Sequence, residues 1–470
     1  MKTHLLTIAL LTGLVSNAAT YQVGASRVYK TPNALYLANV VQNGDTIEID
    51  PETYSGTACL AQWKPNNLYI KGLVGRSKAH MKANGKYILG KGIWVLGGKD
   101  ITVDNIEFSE ASVPDKNGAG IRLDGTGMTV RHCYFHDNEN GILTSNPYAG
   151  DILIEYTEFN KNGYGDGFTH NLYIGHVNKL TFRYNYSHHA YIGHNLKSRA
   201  EENFIYYNRI MDEALGESSR LIDLPNGGFS IIMGNVLMQG PKAKNNNLFG
   251  YGLEGLSNSR KEFHFINNTL LNKRKASCIF LSIKAGTTVA QVKNNIFTGT
   301  GTVISGSTTA MSNNSIYPAF TDMKFVNEVS YDYHLQKNSP AIDSGAVVTA
   351  LRGYSLTPIS SYAHLTSSEV RTNSSTIDAG AYEFNTTNSN ATIEINKLMA
   401  YPNPFSDRIT LDGVSIPKSK IHIYNLLGQS FSDQIKVQLE GNKTYLNTSK
   451  LPKGFYVLRS EAFAKMIYKE

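Results

Sequence analysis

The sequence predicts an all-β protein, a right-handed parallel β-helix of about ten coils followed by a small C-terminal β-sandwich. Three observations predict it. The 470-residue chain holds 41 Gly, 28 Tyr and 19 Phe with only 18% charged residues, a composition that excludes a disordered chain and a coiled coil. Its middle repeats short β-rich blocks at intervals of 20-odd residues. Its C-terminal part consists of alternating apolar blocks broken by Pro, Gly or Asn.

At the N-terminus, Lys2 and His4 precede an apolar stretch, Leu5–Val15, and Ser16-Asn17-Ala18-Ala19 supply the small residues of a cleavage site. The stretch is too short to span a bilayer, so residues 1–19 read as a secretory signal peptide. No later run is apolar for long enough to be a transmembrane segment. Three cysteines, Cys59, Cys133 and Cys278, are an odd number for an exported chain and are expected to form no disulfide framework, with Cys133 and Cys278 as small buried side chains on strands.

Residues 20–384 carry the repeat. DITVDNIEF (100–108), GMTVRHCYF (127–135) and DILIEYTEF (151–159) align with one another and with later blocks such as LTFRYNYSH and FHFINNTLL. The alignment puts Ile106, Cys133, Thr157, Asn185, Asn208, Asn235, Asn268 and Asn295 in one column, with spacings of 27, 24, 28, 23, 27, 33 and 27. That period fits one solenoid coil per repeat. A leucine-rich repeat needs a Leu pattern that is absent, and a propeller needs a period near 40 or more. The run of Asn predicts a ladder, each side-chain amide bonding its neighbour along the stack. Residues 385–391 are polar and read as a linker to a domain over 392–470.

In that last domain YPNPF, IYNLLGQ and LPKGFYVL follow one another before a basic terminus. The set resembles the C-terminal sorting domains of type IX secretion. The resemblance implies the type IX machinery as a partner and a product that is secreted or attached to the outer cell surface. NGDTIEIDPETY (43–54), YHLQKNSPAIDSG (333–345) and IDAGAYEF (377–384) resemble the first and last coils of bacterial pectate-lyase-like β-helix proteins. That resemblance implies the fold and leaves the activity open, since one fold hosts many chemistries.

The formal net charge of +7, from 45 basic and 38 acidic residues, suits an acidic polymer. No Lys/Arg-rich run, RNA-binding aromatic signature or zinc finger is present, so the expected partner is an acidic polysaccharide and not a nucleic acid. Phosphate-loop, G-x-S-x-G and HEXXH motifs are absent as well.

One stretch carries polar groups beyond the needs of packing. His170-Asn171-Leu172-Tyr173 and His194-Asn195-Leu196-Lys197 are 24 residues apart, one coil, and should stack. With Leu172 and Leu196 in the core, alternation predicts Asn171, Tyr173, Asn195, Lys197 and Arg199 on the outside. The next coils add Arg220 and Asp223, then Tyr251 and Glu254.

Cleaving a uronic-acid polymer by β-elimination needs a base for the C5 proton, a cation on the C5 carboxylate and an acid for the leaving oxygen. Lys197, His194 or His170 is the candidate base, with Arg199 and Arg220 set to depress a lysine by like-charge repulsion. The two arginines are the carboxylate clamp and Tyr173 is the acid. Asn171, Asn195, Arg220, Asp223, Tyr251 and Glu254 are the candidate substrate contacts. The set resembles β-helix polysaccharide lyases that use a Lys and an Arg on the outer face of a sheet.

Plainer readings compete with these. His170 and His194 would equally serve as hydrogen-bonded corner residues, and Lys197-Ser198-Arg199 as a solvated strand. His136-Asp137 and His188-His189 read as turn and loop pairs. Some related lyases bind calcium, for which Asp115, Asn117 and Asp166 are the oxygen-bearing candidates. Three other functions stay open: a glycoside hydrolase using Asp223 and Glu254, a C5-epimerase that starts from the same proton abstraction, and a non-catalytic surface binder.

Overall fold

Successive coils stack through three parallel sheets of twelve, ten and eleven strands. The computed structural model describes residues 18–75, 77–145, 150–373, 376–384, 399–412, 418, 421–425, 430–441, 443–460 and 464–470. Most of the expected signal peptide and the linker 385–391 lie outside these residues. The chain divides into two compact units, 1–384 and 385–470.

Each repeat block is a strand of the twelve-stranded sheet, a bend, and a strand of the eleven-stranded sheet, as in Lys99–Asp104 and Ile106–Ser109. One residue per coil makes the bend by taking positive φ: Asn105, His132, Tyr156, Tyr184, Tyr207, Gly234, Asn267, Asn294 and Asn313. A non-glycine residue there carries strain. The rings offset it by stacking along the outside, Tyr156 on Tyr184 at 5.0 Å and Tyr184 on Tyr207 at 5.6 Å. Gly234 leaves room for this stack, since a Cβ there would come within 2.4 Å of the Tyr207 ring.

The residue after the bend forms the expected ladder. Thr157 N donates to Asn185 Oδ1 at 2.9 Å, and the same bond repeats from Asn185 to Asn208, Asn208 to Asn235, Asn235 to Asn268 and Asn268 to Asn295, all at 2.8–3.0 Å. Asn314 continues it one coil beyond the aligned column. The ladder residues Asn185, Asn208, Asn235, Asn268 and Asn295 are buried, and each Nδ2 also donates to a backbone carbonyl, such as Asn208 to Phe182 O at 2.8 Å. The bends are therefore dry but fully paired. Cys133 sits at this bend, not on a strand as expected. All three cysteines are free and buried.

Inside, the ten-stranded sheet places Ile121, Ile142, Leu172, Leu196, Ile222, Phe249 and Leu281 in one fully buried column. Each such side chain contributes roughly 1.5–3 kcal/mol by leaving water. Phe108, Phe135 and Phe159 stack in the same core at 4.9 and 5.1 Å.

Two features were not anticipated. A short helix, Pro32–Ala38, stands among the strands of the first coils, capped by the Thr31 hydroxyl and buried through Leu35. The segments expected to be closing coils instead turn back. Tyr333, Leu335 and Tyr382 pack on Tyr186, Met211, Val236, Leu271 and Ile296 as a cover over the later strands of the eleven-stranded sheet. Arg371 pairs with Glu383 at 2.8 Å within the covering segment, both side chains fully buried.

In the second unit, antiparallel sheets of four and three strands enclose Phe405, Ile409, Leu411, Ile423, Leu446 and Leu458. Among the described residues, no helix is long and apolar enough to cross a membrane.

Candidate functional site

The outward face of the ten-stranded sheet carries one register row: Arg122, Leu143, Tyr173, Lys197, Asp223, Gly250 and Ser282. Tyr173 lies beside Lys197 and Lys197 beside Asp223 because Leu172–Ile174, Leu196–Ser198 and Ile222–Leu224 are in register. The expected 24-residue stacking is therefore present. Gly250 keeps the next position open, since a Cβ there would meet Asp223 Oδ1 at 2.6 Å and Arg220 Cδ at 3.3 Å.

Around this row the structure gathers Tyr173, Lys197, Arg199, Arg220, Asp223 and Glu254. Lys197 Nζ pairs with Glu254 Oε1 at 2.9 Å and lies 5.4 Å from the Tyr173 ring centroid. Arg199 Nε donates to the Tyr173 hydroxyl at 2.7 Å, while its other nitrogens donate to Glu254 Oε2 and Asn226 Oδ1. A single carboxylate thus bridges Lys197 and Arg199. Arg220 Nη1 pairs with Asp223 Oδ1 at 3.3 Å, and its buried Nε has no partner among the described residues.

The two carboxyls are pushed in opposite directions. Burial raises Asp223, although Arg220 and Lys197 pull it down. Burial would raise Glu254 too, but hydrogen bonds from Lys197 and Arg199 prevail and hold it below the usual carboxylate range. Arg199 is lowered by burial yet ends raised through its bonds to Tyr173 and Glu254, so it stays cationic.

Five expected positions need correction. Asn171 and Asn195 do not point outward. They are buried, and Asn171 Nδ2 donates to Asn195 Oδ1 at 2.9 Å in a second ladder that runs from Asn138 through Asn162. Both precede their strands, where in–out alternation does not hold. His170 and His194 are corner residues. Their rings stack at 4.8 Å, His170 Nδ1 accepts from His194 N at 3.0 Å, and His194 Nδ1 accepts from Arg220 N at 3.1 Å. Burial lowers His170 to about 3 and His194 well below its usual value. With Nδ1 accepting, each neutral ring carries its proton on Nε2 and is poorly set to act as a base.

Tyr251 is also buried, its hydroxyl donating to Gly228 O at 2.7 Å. Asn226 joins the site unforeseen. Its signal was its place in LPNGG, 27 residues or one coil after Arg199.

Of the calcium candidates, Asp115 is exposed, and Asp166 Oδ1 accepts from Phe168 N and the Thr169 hydroxyl within its own turn. Among the described residues, neither joins a group of three or more metal-binding side chains. Two clefts lie on other faces of the unit, one over Asp151, Lys179 and Arg183 and another beside His188, His189 and Leu215.

Comparison with known proteins agrees with this architecture. A model of the right-handed β-helix region matches residues 79–212. A model of the secretion-system C-terminal sorting domain matches residues 399–469. Among solved structures, the crystal structure of pectate lyase Pel9A superposes with a TM-score of 0.53 at 15% identity, covering 79% of this chain and 97% of that one. No curated protein matches. The chain is a right-handed β-helix with a type IX sorting domain, and that domain indicates secretion or attachment to the outer surface.

Proposed function

We propose that this exported β-helix protein is a polysaccharide lyase that cleaves a uronic-acid-containing chain by β-elimination at the row Tyr173–Lys197–Asp223. One observation carries the reading: a carboxylate, that of Glu254, already sits between Lys197 Nζ and Arg199 Nη2. Two cations that hold one carboxylate can hold another, and a uronate displacing Glu254 would meet both.

In this reading Arg199 and Arg220 neutralise the uronate and make its C5 proton acidic. Lys197, released from Glu254, gives its ammonium proton to solvent and then takes the C5 proton as the base, leaving the two arginines on the carboxylate. Tyr173 accepts the Arg199 bond on its oxygen, which leaves its own O–H free to donate to the departing glycosidic oxygen. Electrons from the C5–H bond form the new double bond, and the C4–O bond breaks. The resemblance to a pectate lyase structure supports the fold for this chemistry.

A glycoside hydrolase is the second reading, favoured by the opposed shifts of Asp223 and Glu254, the pattern of an acid paired with an ionised carboxylate. Incubation of the mature protein with pectate, alginate, glucuronan and glycosaminoglycans separates the two. Ultraviolet absorbance of an unsaturated product, rising with the reducing ends, is expected. Reducing ends without that absorbance would overturn the lyase reading.

A further inference from the structure

The geometry points to a divalent transition-metal site of the zinc class, built by His80, Glu107 and His136 on the outer face of the eleven-stranded sheet. The three come from successive coils, on strands Ala79–Lys82, Ile106–Ser109 and Tyr134–His136. His80 lies in register with Glu107, and His136 with Ser109 two residues along the same strand. Stacking thus converges three side chains that lie 27 and 29 residues apart in sequence. They belong to a different sheet from the Lys197 row, so this site stands or falls independently of the proposed activity.

One ligand atom from each residue lies within 4.8 Å of the others. His136 Nε2 is 3.1 Å from Glu107 Oε1, and His80 Nε2 is 3.6 Å from the same oxygen. Two donors bound at about 2.0–2.1 Å to a tetrahedral ion stand roughly 3.3–3.4 Å apart, a spacing that lies between these two separations. Two imidazoles and one carboxylate, with a fourth position towards solvent, are a zinc-type donor set. The nitrogen ligands disfavour calcium and magnesium, which take oxygen.

The surroundings supply an independent sign. His136 Nδ1 lies 2.7 Å from Asp137 Oδ2 and Nε2 3.1 Å from Glu107 Oε1, so the ring is held between two carboxylates and an ion would replace the Nε2 proton. A carboxylate behind the ligating imidazole is the usual support of a metal-bound histidine. Tyr134 stacks on the His136 ring at 4.4 Å and holds its plane. His80 Nε2 also lies 2.7 Å from Ser109 Oγ, the contact it would give up on binding an ion. Side-chain exposures of 18–22% leave the three reachable but restrained.

The test is titration of the untagged, metal-free mature protein with Co²⁺, read by its visible absorption, followed by Zn²⁺ competition. One ion per chain is expected, with tetrahedral Co²⁺ bands that Zn²⁺ removes and excess Ca²⁺ leaves unchanged. His80→Ala, Glu107→Gln and His136→Ala should each weaken binding at least about 100-fold with circular dichroism unchanged. Asp137→Asn, which keeps the ligands but removes the supporting carboxylate, should weaken it by about 10–100-fold. Absence of Co²⁺ binding by the wild-type chain, or binding undiminished in both histidine variants, would overturn the site.

Discussion

Arg199 donates from Nε to the Tyr173 hydroxyl at 2.7 Å, across one coil of the β-helix. The bond fixes the phenol oxygen beside Lys197 and leaves the phenol proton as the only donor on that oxygen. Tyr173→Phe should therefore lower turnover by about 10²–10⁴-fold, the scale of a lost acid, with polymer affinity nearly unchanged. Turnover close to wild type in that variant would remove Tyr173 from the reaction.

Glu254 tells the two enzymatic readings apart. Its carboxylate bridges Lys197 and Arg199, so in the lyase account it is displaced by substrate. Glu254→Gln should then lower KM for the polymer while kcat stays within about 10-fold. A hydrolase that uses Glu254 would lose about 100-fold or more in kcat. Steady-state kinetics on the responsive polymer decide the matter.

The corner histidines predict a pH dependence of stability. Burial depresses His170 from 6.5 to about 3, so the folded state binds fewer protons than the unfolded one between those values. The contribution is complete above pH 6.5 and is lost as pH falls towards 3. Denaturation midpoints should drop across that window. His170→Asn keeps an acceptor for His194 N but cannot titrate, so its midpoint should fall less steeply. An unchanged slope would mean that His170 is protonated in the folded state.

The Asn ladder predicts a stability cost without loss of chemistry. Asn208→Ala leaves Asn185 N and Phe182 O unpaired, and Asn235→Ala leaves Asn208 N and Ile205 O unpaired, in a dry bend. Each should cost about 1–3 kcal/mol in denaturant unfolding. Neutral results at both sites would contradict the ladder's structural role.

The ladder was legible because one residue type recurs at one bend. The row Tyr173–Lys197–Asp223 was legible because the motif spacing equals one coil. In–out alternation fails where the chain is not a strand. Asn171 and Asn195 precede strands of three residues, Leu172–Ile174 and Leu196–Ser198. Tyr251 was mis-phased: Phe249 faces inward and Gly250 outward, so Tyr251 returns to the core.

His80, Glu107 and His136 were hidden for another reason. Their coils carry Ile106 and Cys133 in the bend column, so no Asn marks the phase there, and no short motif spans ligands a coil apart. His136-Asp137 looked like a turn pair, whereas His136 closes a strand and Asp137 makes the bend at φ 53°.

The most direct test of the account is the rate of unsaturated-product formation by Lys197 variants on the polymer that the wild-type chain cleaves. Lys197→Ala should lose at least about 100-fold in turnover. Lys197→Arg should fail as well, because a guanidinium holds carboxylate but stays protonated and cannot accept the C5 proton. Both proteins should remain folded, since the Lys197 side chain lies outside the core in the row between Tyr173 and Asp223. Retention of most of the wild-type rate by Lys197→Arg would contradict the account and leave Lys197 as a carboxylate contact only.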